Sequence, residues 1–157
     1  MTLGAGMRTV AVLAGVLVLA GCSSIATIWS PTAQTENIRL ETTPEVNDTF
    51  PVAVDIVAVS DKAFVEVLDG VDAATWFERR QAFMNDRSDA MEVRSFELVP
   101  GQRELEIGYN YFDRRDFRGI YVFAQYVNAG NHKARVDSYS RPTVVLGAEG
   151  IRVQPEG

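Results

Sequence analysis

The side chains able to do chemistry in this 157-residue chain are few, beginning with one cysteine, Cys22, and one histidine, His132. A metal site built from His and Cys ligands is excluded, as is a triad that needs a second histidine beside a nucleophile. Carboxylates remain. Glu66, Asp69 and Asp72, with the aromatics from Tyr109 to Tyr126, form one candidate set for carboxylate catalysis or small-ligand binding, and that reading requires a pocket beside them. Asp113 and Asp116 form another, but Arg114 and Arg115 lie between them and would hold both ionised. That is the wrong tuning for a general acid, so 113–116 reads as a solvated turn. Asn47-Asp48-Thr49 fits a glycosylation sequon and reads as a turn. His132 falls in the turn-forming stretch 128–133 and reads as a surface histidine. No catalytic residue, metal or dissociable cofactor is expected.

The remaining reactive group, Cys22, has a context of its own. Arg8 precedes an unbroken apolar run from Val10 to Ala20, the layout of a secretory signal peptide. The run is shorter than the roughly 20 residues that a bilayer-spanning helix needs. Leu19-Ala20-Gly21-Cys22 resembles the lipobox of bacterial lipoproteins, which implies cleavage before Cys22 and acylation of its sulfur. Several acyl chains, each buried methylene contributing about 0.8 kcal/mol, make release from the membrane rare. Met7, directly ahead of Arg8, is the better start codon than Met1. Ser23 rather than Asp after Cys22 favours the outer over the inner membrane.

Residues 1–21 carry one charge, Arg8, so the processed chain has 14 Lys and Arg against 21 Asp and Glu. An excess of seven acidic groups argues against nucleic acid or an anionic membrane surface as the main partner. Three segments are expected: a signal peptide at 1–21, a lipidated tether at 22–35, and a single domain at 36–157. Trp29, in the tether, suits either the membrane interface or an edge of the domain.

Within the domain, 36–42 alternates as a strand and 43–50 breaks as a loop. Val52 to Val59 is apolar on both faces, which predicts a central strand, buried on both sides or with one side covered by the helix that follows; Asp55 within it reads as a solvated charge near the strand's exposed end. The stretch 72–86 has Trp76, Phe77, Arg80, Phe83 and Met84 at helical spacing, with Asp72 as N-cap. Strands follow at 92–99 and 105–111, joined as a hairpin by Pro100-Gly101-Gln102, then a central strand at 119–127. Short strands at 135–139, 143–146 and 151–154 close the chain. The sum is a mainly β fold, an antiparallel β-sandwich with one inserted amphipathic helix.

In order and spacing, Ile38-Arg-Leu40, Val46-Asn47, Phe50-Pro-Val52, Leu68, Trp76-Phe77, Leu98-Val-Pro-Gly101 and Gly119-Ile-Tyr-Val-Phe-Ala124 resemble the TssJ family, outer-membrane lipoproteins of the type VI secretion system. The resemblance implies a transthyretin-like sandwich held by acyl chains on the outer membrane, with its domain in the periplasm. It implies a structural adaptor, not an enzyme, that binds the periplasmic part of an inner-membrane protein, TssM. It also implies that the first inter-strand loop takes part, so Pro44, Glu45, Val46, Asn47 and Asp48 are the partner-binding candidates. A pilotin or assembly lipoprotein of another secretion or pilus system would share the lipobox and the sandwich.

Overall fold

The computed structural model describes residues 32–113 and 116–155. Cys22, Trp29 and the whole signal segment lie outside the described residues, as do Arg114 and Arg115. The strands are β1 (Asn37–Thr42), β2 (Val52–Val59), β3 (Met91–Leu98), β4 (Leu105–Gly108), β5 (Gly119–Gln125), β6 (Lys133–Arg135), β7 (Thr143–Gly147) and β8 (Gly150–Gln154). Two helices, α1 (Lys62–Asp69) and α2 (Ala73–Asp86), fall between β2 and β3. One sheet runs β4-β1-β7-β8 and the other β3-β2-β5-β6.

The expected β-sandwich is present, with β2 and β5 central as their two apolar faces predict. Val52, Val54, Ile56 and Ala58 point inward and meet Ile38, Leu40, Val144 and Leu146 of the opposing sheet. Val57 and Val59 point outward with Tyr121 and Phe123, and the helices cover them through Phe64, Val65, Leu68 and Trp76. Trp76 stacks on Phe123 with centroids 4.9 Å apart and 11° between the ring planes. Sheet, sheet and helices therefore make three layers around two apolar cores.

Several details differ from the sequence reading. Two helices are inserted, not one. α1 is N-capped by Asp61, whose carboxylate accepts from Ala63 N at 3.0 Å, and Lys133 Nζ donates to the Leu68 and Asp69 carbonyls at its end, 3.1 and 2.8 Å away. These contacts fix a helix of eight residues that contains two β-branched valines, poor helix formers on their own. The first sheet is mixed, because β1 pairs parallel to β7. β3 and β4 form no hairpin: Gly101 takes the expected positive φ of 72°, but the chain there crosses from one sheet to the other. β4 ends at Gly108 and 109–111 turn as 3-10 helix, and β6 is Lys133–Arg135, ahead of the 135–139 strand expected.

The most consequential correction is Asp55. It is 1% exposed rather than solvated. It lies on the outer face of β2 at the margin of the helix layer, where its carboxylate accepts from Trp76 Nε1 at 2.9 Å, Ser95 Oγ at 2.6 Å and Arg80 Nη1 at 3.2 Å. A buried carboxylate persists only with such partners. His132 is likewise buried, not a surface residue: its ring stacks on Tyr126 at 4.1 Å, with Nε2 3.2 Å from the Asn128 carbonyl.

Candidate functional site

Strand direction sorts the loops into two ends. Where the described chain begins, Ala33 N donates to Phe117 O, Gln34 N to Asp137 O, and the Thr35 hydroxyl to Val136 O, at 2.7 to 2.8 Å. This root is built from the β4–β5 and β6–β7 connections. β1 leaves it and carries the chain across the sandwich, about 20 Å for six residues at roughly 3.3 Å each. Residues 43–51 therefore lie at the opposite end, the tip, with the β3–β4, β5–β6 and β7–β8 turns.

Hydrogen bonds lock the tip together. Thr42 Oγ1 donates to Val99 O at 2.7 Å and accepts from Gln102 N at 2.9 Å, while Gly101 N reaches Thr43 O at 3.2 Å. The Tyr126 hydroxyl donates to Gly147 O at 3.0 Å, and burial pushes that phenol up to about 12. Among the five partner-binding candidates, Pro44, Glu45 and Asp48 are exposed. Val46 and Asn47 are buried, at 0% and 4%. Val46 is a core residue, whereas Phe50, the other large apolar side chain of the loop, is exposed, so apolarity alone did not mark which of them packs inward.

Asn47, Asp48 and Thr49 have φ values of 49°, 54° and 67°. Three successive non-glycine residues in the left-handed region are costly, roughly 1–2 kcal/mol each for most side chains and less for Asn and Asp. Asn47 supplies the compensation. Its Nδ2 donates to Pro51 O at 2.9 Å and its Oδ1 accepts from Val127 N at 2.6 Å, so one buried amide ties the loop to the start of β2 and the end of β5. Asn47→Ala is expected to cost about 2 kcal/mol, from two lost bonds and a poorer left-handed residue, read as a lower urea midpoint. An unchanged midpoint would show that the bonds carry no net stability.

The carboxylate set does not converge. Glu66 is exposed on α1, and Asp69 is held by Arg135 Nη1 at 3.0 Å with the Tyr121 hydroxyl 2.8 Å away. Asp72 caps α2, accepting from Thr75 N at 2.8 Å, and that bond lowers its carboxyl below the usual range. Tyr109 stands at the root and Tyr126 at the tip. An open cleft of about 630 Å³ beside α2 is lined by Asp72, Phe77, Tyr126 and His132, so it gathers only one of the three acids. No cluster of three or more His, Cys, Asp or Glu suited to a metal occurs among the described residues.

What remains is a rigid sandwich with a helix layer at one face and a locked tip opposite its N-terminal root. No protein-family model matches the sequence, and no curated protein matches it. Solved structures do match the fold. Serratia marcescens Lip, a membrane-bound component of the type VI secretion system, superposes with a TM-score of 0.58 at 18% identity, over 78% of this chain and 99% of that one. The type VI secretion lipoprotein TssJ1 from Pseudomonas aeruginosa gives 0.57 at 20% identity, over 81% and 98%. The fold is thus shared with TssJ lipoproteins. Among the described residues no helix is long and apolar enough to cross a membrane.

Proposed function

We propose that this chain is a lipid-anchored structural adaptor of a type VI secretion complex. Acylated Cys22 holds the root at the outer membrane, and the tip binds the periplasmic domain of a TssM-like inner-membrane protein. The observation that carries the reading is the placement of root and tip at opposite ends of β1. A domain tethered at its root presents the exposed Pro44, Glu45 and Asp48 away from the membrane that holds it. The fold shared with two membrane-associated secretion lipoproteins supports the same reading. Anchoring raises the effective concentration of the tip for a partner rooted in the facing membrane.

The test keeps the buried Val46 and Asn47 and changes only the exposed turn. Glu45→Lys combined with Asp48→Lys reverses two charges, and recovery of the TssM-like periplasmic domain in pull-downs from membranes is expected to fall about tenfold. Full recovery with both charges reversed would remove the turn from the interface.

A further inference from the structure

The two most exposed large apolar side chains among the described residues, Val127 at 63% and Phe50 at 61%, stand on the same lip of the tip. With Asn47, Pro51, Ala53 and Glu97 they border an open cleft of about 570 Å³. Its floor is the outer face of the β3-β2-β5-β6 sheet beyond the point where α2 stops covering it. Ala53 is the next residue on that face after Asp55, whose bonds to Trp76 and Arg80 mark the helix margin.

The placement of Phe50 and Val127 is built, not incidental. The three left-handed residues deliver the chain at Phe50, whose N–H donates to Asn47 O at 3.0 Å, while the Asn47 side chain holds Val127 N. One residue, Asn47, therefore sets the spacing of both apolar side chains, through its backbone carbonyl at Phe50 and its side-chain amide at Val127. Strained backbone fixed by surrounding bonds, and apolar side chains kept in water, are each features of binding surfaces. An acidic group stands at the cleft as well: Glu97 is the charged residue bordering it among the described residues, and Asp48 lies in the adjoining turn.

The geometry points to this cleft as the seat of a cationic, apolar segment of the partner, with one large apolar side chain between Phe50 and Val127 and a Lys or Arg beside Glu97. The inference rests on the adaptor reading and extends its interface from the Pro44–Asp48 turn onto the sheet face. A hydrophobic centre supplies most of the affinity, and the charge pair supplies register and salt dependence.

The experiment holds the full lipoprotein in nanodiscs and titrates the TssM-like periplasmic domain of the same bacterium, with thermal melts to confirm folding. Phe50→Asp and Val127→Asp are each expected to weaken binding about tenfold or more. Val67→Asp, at the 47% exposed apolar position on α1, should leave it unchanged. Glu97→Gln should weaken binding several-fold and flatten its dependence on salt. Wild-type affinity in folded Phe50→Asp and Val127→Asp would overturn the cleft while leaving the adaptor reading in place. An unaltered salt dependence in Glu97→Gln would overturn the cationic partner. No binding by the wild-type lipoprotein would end the adaptor reading and the cleft with it.

Discussion

Asp55→Ala is expected to lower the free energy of unfolding by about 3 kcal/mol, a large share of the 5–15 kcal/mol typical of a domain. The carboxylate is 1% exposed and accepts from three side chains, so its removal leaves the Trp76 indole N–H and the Ser95 hydroxyl without their acceptor. The Trp76 donor is buried, and orphaning it costs about 1–3 kcal/mol; Ser95 is exposed, so its hydroxyl turns to water. Arg80 contributes less to the loss, since its side chain is 44% exposed and water can solvate it once the partner is gone. Asp55→Asn, which keeps an acceptor for Trp76, should cost less. Urea denaturation of the two variants checks the order. A double-mutant cycle with Trp76→Phe should show strong non-additivity, because both changes remove the same bond. A cost below about 1 kcal/mol for Asp55→Ala would mean that water replaces the carboxylate at the helix margin.

Cys22→Ser, exported behind a signal peptide whose cleavage needs no lipobox, is expected to move the protein almost wholly from the membrane to the soluble periplasmic fraction. The physical case is quantitative. A single 14-carbon chain gives only marginal binding, about 10⁴ M⁻¹, so stable anchoring needs more than one chain, as a fully acylated lipoprotein cysteine provides. Charge offers no substitute: the 21 acidic against 14 basic residues of the processed chain disfavour an anionic surface. Loss of labelled-palmitate incorporation should accompany the shift. Retention of the serine variant in washed membranes would falsify the anchor.

How much of this was legible in the sequence depended on how local each signal was. β2 and β5 were, because an apolar residue on both faces of a strand has one common cause, cover on both sides. α2 and its Asp72 cap were, because the capping bond to Thr75 spans three residues. α1 was not. Phe64, Val65 and Leu68 have helical spacing, but eight residues with two valines leave the decision to packing against β2 and to the Lys133 cap, 64 and 65 residues away. Asp55 was misread for the same reason: its partners lie 21, 25 and 40 residues on, and no pattern within β2 announces them. The Pro100-Gly101 turn was recognised as a turn, yet turn chemistry does not specify which sheet receives the next strand. At the candidate site, the loop itself could be located. The division into buried Val46 and Asn47 and exposed Pro44, Glu45 and Asp48 needed the fold, as did the pairing of Phe50 with Val127.

The path from root to tip also has a mechanical meaning. β1 is the short covalent link between the N-terminal attachment and the tip, and it is flanked by β4 on one side and β7 on the other. Its hydrogen bonds to antiparallel β4 lie across the strand, and those to parallel β7 are slanted but evenly spaced. A pull between the membrane and a partner at the tip therefore loads both ladders in shear, with the bonds sharing the force together rather than opening one after another like a zipper. A sandwich that grips its first strand from two sides is suited to bearing tension, the load that the proposed adaptor would carry between its anchor and its partner.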